Sequence, residues 1–375
     1  GGGSMRAMAV WPERKETGIV EHPEPAIASP TAVRVRMLEV GVCGTDAEIC
    51  SFLYGVPAEG SEYLIPGHEA LGEVEEIGAG VSRFKPGDLV VPSVRRPCPD
   101  PDCPACRSGQ QDFCVTGDYT ERGIKGAHGF LTERVVEEEA YLFRVPDALR
   151  EVGVLTEPLT VAEKALRQYL AAQRRLPWTG DLDDAALLAG TRAVVLGAGP
   201  VGILGCMLLL HRGCRVWVYS RSRKPNPKAA LVESVGAEYV SSEEVPFAEF
   251  AAGIGGVDLV YEATGASALA FEVLGHLGPN GVLVLTGVPP GGRRADLPTD
   301  DLMKRMVLGN QLLLGTVNAN AADFEAAIRD LEGFFAAWPE AVRGIITGRH
   351  PLADFCACAN DGEGIKEIIA VERSS

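Results

Sequence analysis

Ala193-Val194-Val195-Leu196-Gly197-Ala198-Gly199-Pro200-Val201-Gly202-Ile203-Leu204-Gly205 is the stretch whose reading decides the fold. An apolar run ends in G-x-G-x-x-G, and a second apolar segment starts at once. A strand followed by a tight turn and a helix is the context that gives this glycine pattern meaning. Gly197 permits the turn, Gly199 lets the backbone approach a pyrophosphate, and Gly202 lets helix and strand pack closely. The helix, entered through Pro200 and Val201, offers its unpaired N–H groups to phosphate.

Outward from this turn the apolar runs recur. Val216–Tyr219, Asp258–Tyr261, Val282–Leu285 and Leu312–Leu314 are spaced by helix-like segments. Continuous apolar strands alternating with helices predict an α/β unit with a parallel sheet covered on both faces. Thr264-Gly265 and Thr286-Gly287-Val288 follow two of these strands, at the ends where such sheets bind ligands. The second strand selects the cofactor. A site for NAD carries an acidic residue here for the ribose 2′-hydroxyl. This chain has Tyr219-Ser220-Arg221-Ser222-Arg223-Lys224 instead. A guanidinium grips a 2′-phosphate through paired hydrogen bonds. NADP is therefore expected, with Ser220, Arg221 and Arg223 as its contacts, and NAD stays possible.

The rest of the chain has another character. Its first third is rich in Val, Gly and Pro, with alternating runs such as Ala32–Met37, and reads as β-rich. Helices are predicted at Leu159–Ala172 and Ala322–Trp338. The 375 residues allow two or three domains. A formal charge of −16 argues against a nucleic-acid partner. No apolar run reaches the roughly 18 residues a membrane span requires. Gly1-Gly2-Gly3-Ser4 reads as a cloning remnant ahead of Met5, where no secretory leader follows, so the expected location is the cytoplasm.

Ten cysteines in such a chain are expected to be reduced. Cys98, Cys103, Cys106 and Cys114 form C-x4-C-x2-C-x7-C within the Pro-rich lobe 95–117. Four thiolates so close suit a closed, structural zinc site. Most of the others, Cys50, Cys206, Cys214, Cys356 and Cys358 among them, are expected to be small apolar packing residues.

Three further pieces are unremarkable singly: Gly41-Val42-Cys43-Gly44-Thr45-Asp46, Gly67-His68-Glu69 and Glu157-Pro158-Leu159. With the cysteine lobe and the glycine turn, they make the chain from Met5 onward resemble the zinc-dependent medium-chain alcohol dehydrogenases. Arg95-Arg96-Pro97, Glu121-Arg122-Gly123-Ile124, His128-Gly129-Phe130, Thr156-Glu157-Pro158 with Glu163-Lys164, and Gly315-Thr316-Val317-Asn318 look most like the archaeal type of glucose dehydrogenase.

The resemblance implies a GroES-like catalytic domain over 5–165 and 320–375, a Rossmann domain over 166–319, and an active site between them. It implies a catalytic zinc on Cys43 and His68, with Glu69 and Glu157 binding or exchanging at the metal. Asp46 would orient His68, Thr45 would relay the substrate proton, and Glu48 stands where many relatives carry the next relay residue. Asn318 matches a residue of the cofactor and substrate site. Thr45, Glu69, Glu121, Glu157 and Asn318 would face the sugar, which would be oxidised at C1 to the lactone. Val94 and Val161 replace polar residues common in sugar dehydrogenases, which leaves another aldose, a polyol or an alcohol open as substrate. A non-catalytic zinc and nucleotide-binding protein is the remaining alternative, distinguished by its metal count. Members of the family are dimers or tetramers, and Leu312–Leu314 is a candidate edge for pairing.

Overall fold

The structure, a computed structural model, describes residues 2–371. The chain divides into two compact units. One runs from the chain's start to Thr160 and adds Asn318–Glu332 and the stretch from Val342 onward; the other holds Val161–Val317 and Gly333–Ala341.

The second unit is the parallel sheet. Its six strands follow the order Glu238–Ser241, Arg215–Ser220, Arg192–Leu196, Val257–Glu262, Leu277–Leu285 and Leu312–Gly315. All five pairings are parallel. The expected fold class is what the chain adopts. The chain builds outward from Arg192–Leu196 in one direction and then crosses to the other, so the switch point lies between that strand and Val257–Glu262. One sheet face is packed with Trp217, Tyr219, Phe247, Phe250 and Leu283.

The first unit is built on an antiparallel-rich sheet. Its strands run Leu142–Val145, Leu89–Pro92, Glu69–Ile77, Ala32–Gly41, Lys366–Ala370 and Ile346–His350, with Arg134–Glu138 also on Ala32–Gly41. The final strand therefore returns to the middle of the sheet, placing Ile368 opposite Gly41. Met37, Val40, Ile65, Phe130, Leu131 and Phe355 belong to the core beneath. No helix among the described residues is long and apolar enough to cross a membrane.

Ser4, ahead of Met5, opens the strand Ser4–Trp11, pairs with Pro23 and donates its hydroxyl to Glu21. One expectation is corrected. Cys50 and Cys356 are not reduced packing residues but form a disulfide. Cys50 ends the helix Gly44–Cys50, Cys356 lies in Phe355–Asn360, and the fold stacks these two helices. Spacing in sequence could not reveal a pair 306 residues apart.

The disulfide is directly countable. Thiol titration of the unfolded, chelator-treated protein should find eight thiols without reductant and ten with it. Reduction should lower stability by about 2–4 kcal/mol. Ten thiols before reduction would contradict the link.

Candidate active site

Cys43 lies at the N-cap of Gly44–Cys50, where its backbone N–H donates to Asp46 Oδ2 at 2.9 Å. This bond fixes the cysteine at the end of the sheet. His68 and Glu69 arrive from the Gly67 turn. Gly67 has φ +93°, and a Cβ on either Gly123 or Gly129 would fall within 2.4 Å of the Gly67 carbonyl oxygen. Only glycines allow three backbone segments to approach so closely behind His68.

Cys43 Sγ lies 3.3 Å from His68 Nε2, and Glu69 Oε2 lies 3.8 Å from the same nitrogen. The ligand atoms of Cys43, His68 and Glu69 all fall within 4.8 Å of one another. His68 and Glu69 are buried. One sulfur, one nitrogen and one carboxylate oxygen are donor types that suit an open catalytic zinc site. Burial disfavours His68 protonation, but the Cys43 and Asp46 charges outweigh it and hold the ring well above its ordinary value. Such a pocket favours positive charge.

Glu157 does not join this close set. Desolvation pushes its carboxyl up to about 7, with His68 opposing and Glu69 adding to the shift. Asp46 is fully buried, but its Oδ1 stands 3.7 Å from His68 Nδ1. Both atoms lack a hydrogen-bond partner. The contact that orients Asp46 is the Cys43 amide, and its pairing with His68 is looser than the sequence reading implies. Thr45 is half-buried in the first helical turn, and Glu48 is exposed.

Sequence reading missed Lys366. It is buried, and its Nζ donates to Glu69 Oε1 at 2.7 Å and to the Val42 carbonyl at 2.8 Å. The signal was a lone cation before the apolar Ile368-Ile369.

Glu121 and Asn318 meet. Asn318 Nδ2 donates to Glu121 Oε2 at 2.9 Å, and Arg95 Nη2 lies 3.5 Å from that oxygen. Val94 is 3% exposed and packs with Val10, Ile49, Leu64 and Ile124, so the residue in the polar position belongs to a core. Val161 is half-buried in Thr156–Gln173.

The four sulfurs of Cys98, Cys103, Cys106 and Cys114 also lie within 4.8 Å of one another. They suit a closed tetrathiolate zinc site and form the lobe's own small cluster. Next to the lobe, Glu137 Oε2 accepts from Arg96 Nη2 and Arg122 Nη1, each at 2.6 Å. The guanidinium groups lie over Tyr141 and Phe130. The Arg95-Arg96, Glu121-Arg122 and His128-Gly129-Phe130 motifs thus share one polar framework, since Arg122 Nε also donates to the His128 carbonyl. His128 Nδ1 accepts from the Ile65 amide, and desolvation, with His22 and Arg122 nearby, drops the ring to about 4. It stays neutral and structural.

In the other unit, Gly197 has φ +102°, and a Cβ on Gly202 would lie 2.2 Å from the Gly197 carbonyl oxygen. Gly199 caps the helix Pro200–His211 with no side chain bonded to its first amides, and a Cβ there would meet open space. The turn thus leaves the first amides of the helix uncovered by side chains, with room for a phosphate. Ser220 is half-buried and Arg221 and Arg223 are exposed. Arg223 lies 3.5 Å from Glu243, whereas Arg221 has no acidic partner among the described residues. Thr264, Gly265, Thr286 and Gly287 cluster at the carboxyl ends of the adjoining strands, and Val288 is 82% exposed.

The Alcohol dehydrogenase GroES-like domain model matches residues 29–147, and the Glucose dehydrogenase C-terminus model matches 150–371. The chain is 38% identical over 371 residues to the glucose 1-dehydrogenase of Methanocella arvoryzae, covering 98% of this chain and 99% of that protein. It is 42% identical over 335 residues to that of Thermoproteus tenax, 88% of each. The solved glucose dehydrogenase of Haloferax mediterranei, in complex with NADP, Zn and gluconolactone, superposes with a TM-score of 0.86 at 34% identity, covering 99% of this chain and 100% of that one.

Fold and site define an oxidoreductase of the alcohol dehydrogenase class, a GroES-like unit joined in one chain to a Rossmann unit. Within that class, the chain belongs to the glucose dehydrogenase family.

The Lys366–Glu69 pair can be tested directly. Lys366→Met should leave a buried carboxylate without its cation and cost about 3–5 kcal/mol of stability. Chemical denaturation measures this, and a near-neutral substitution would show that the pair does not hold the site.

Proposed function

We propose that this protein oxidises an aldose of the glucose type at its anomeric carbon to the aldonolactone, with the hydride passing to NADP. The observation that carries the reading is the convergence of Cys43, His68 and Glu69 in the same unit as the pair of buried Glu121 and half-buried Asn318. A metal donor set accounts for the alcohol chemistry, and the paired carboxylate and amide account for a polyhydroxylated substrate. The relatives with named activity support the same reading.

Cys43 and His68 would hold the catalytic zinc, with Glu69 and Glu157 as carboxylates at its side. Cys98, Cys103, Cys106 and Cys114 would hold the structural one. The chemistry supplied by the bound groups is Lewis-acid polarisation of the anomeric oxygen by zinc and hydride acceptance by NADP. The Thr45 hydroxyl would accept the anomeric proton while giving up its own, which exposed Glu48 on the same helix can pass to solvent. Glu121 and Asn318 hold ring hydroxyls. A largely desolvated polar pair rejects a ligand that leaves it unpaired, which favours a sugar over a simple alcohol. Gly197–Gly202 seats the pyrophosphate, and Arg221 grips the 2′-phosphate.

Two copies are expected to associate through the second unit. Leu312–Gly315 ends the sheet with a free edge among the described residues. Beside it in sequence, Met303, Val307 and Leu308 are 70%, 65% and 73% exposed on the helix Thr299–Gly309. Edges and apolar faces of this kind are normally covered.

NADPH formation across aldoses, polyols and simple alcohols, with and without chelator, tests the activity. Chelator-sensitive turnover of glucose, galactose or xylose is expected; turnover of simple alcohols alone would discard the sugar assignment. Arg221→Ala should raise the KM for NADP by ~10- to 100-fold and leave that for NAD little changed. Equal losses for both cofactors would remove Arg221 from the 2′-phosphate.

A further inference from the structure

Glu262 closes the strand Val257–Glu262 and is 2% exposed. No cation neutralises it among the described residues. Its charge is met by donors from two separate turns. Oε1 accepts from the Thr264 amide at 2.6 Å, the Thr264 hydroxyl at 2.9 Å and the Gly265 amide at 2.6 Å. Oε2 accepts from the Thr286 amide at 3.3 Å and the Gly287 amide at 3.0 Å. The Glu262 carbonyl also accepts from the Thr286 hydroxyl at 2.6 Å. Burial pushes the carboxyl up, but the amides of Gly287, Thr264 and Gly265 outweigh it and keep the group ionised below its ordinary range.

The two turns are thereby clamped edge to edge. A Cβ on Gly287 would lie 2.2 Å from the Gly265 amide nitrogen, so no side chain fits between them. The clamp also reaches the switch point. A Cβ on Gly197, the first glycine of the phosphate turn, would lie 2.6 Å from the Thr264 methyl. In sheets of this kind the ligand lies across the carboxyl ends at the switch point. The 2′-phosphate end is assigned to Ser220–Arg221, on one side of the glycine turn. A dinucleotide running through that turn must continue to the opposite side, over the turns that Glu262 holds.

We infer that Glu262 is a positioning residue for the nicotinamide half of the dinucleotide site, aligning the Thr264-Gly265 and Thr286-Gly287 turns through one shared carboxylate. The inference rests on reading this unit as the NADP site. It assigns Glu262 no contact with substrate or cofactor.

Glu262→Gln is the decisive variant. A carboxamide must aim its NH2 at one of the two sets of amides, so one turn is released while volume and burial are kept. Two probes separate local from global effects: NADP, which spans the whole site, and adenosine 2′,5′-bisphosphate, which fills only the adenine half. Calorimetric titration of the full-length protein should show NADP affinity falling by about tenfold or more, with the bisphosphate little changed. If Gln does not fold, Glu262→Asp keeps the charge but is too short for both turns, and should show the same split.

Equal weakening of both probes would make Glu262 a merely structural residue and overturn the inference. Unchanged NADP affinity would overturn it as well. Wild-type protein that binds neither probe would overturn the NADP reading and this one with it. A wild type that binds both, beside a variant that does the same, would overturn this one alone.

Discussion

A single buried ion pair, Lys366 with Glu69, brings the distant parts of the catalytic unit to one point. Glu69 opens the strand that follows His68, and Lys366 opens the chain's final strand. Both flank Gly41-Val42-Cys43, and Lys366 also bonds the Val42 carbonyl. Lys366 is 2% exposed and Glu69 2%, so neither charge can be left unpaired without a large cost. Lys366 engages one Glu69 oxygen, and the other lies 3.8 Å from His68 Nε2. In this way the strand Lys366–Ala370 anchors one oxygen of Glu69 beside Cys43 and His68.

The same economy recurs elsewhere. Glu137 joins Arg96 and Arg122, and so ties the segments on both sides of the cysteine lobe to the sheet. Glu262 joins two turns at the far end of the parallel sheet. In each case a buried carboxylate is satisfied by groups from separate segments, fixing loop geometry that apolar packing alone leaves loose. The cysteine lobe repeats the pattern through Arg95, which donates to the Gln111 and Asp112 carbonyls, and through the buried Asp112 carboxylate, which accepts from Asn320. Its helical structure is limited to the short helices Pro104–Arg107 and Gln111–Phe113, and its four sulfurs crowd together with Ala105.

Much of this was legible in the sequence because local chemistry dictated it. The turn Gly197–Gly202 could be read from residue types alone, and so could the cysteine spacing and the absence of an acidic residue after Tyr219. Apolar runs located five of the six strands of the parallel sheet. Glu238–Ser241 escaped because a half-polar, four-residue edge strand leaves no such run. What sequence hid was pairing across long separations. Cys50 met Cys356, Lys366 met Glu69, and Asn318 met Glu121. Asp46, expected to orient His68, lies 3.7 Å from its Nδ1 and accepts a hydrogen bond from the Cys43 amide. Val94 read as a lost polar contact and proves to be part of a core.

The central claim is that Cys43, His68 and Glu69 form a catalytic zinc site independent of the tetrathiolate lobe. Metal analysis of the purified wild type and of His68→Ala tests it most directly. The account predicts about two zinc ions per chain in the wild type and about one in a folded but inactive variant. About one zinc in both proteins would contradict it, because the Cys43–His68–Glu69 set would then hold no metal.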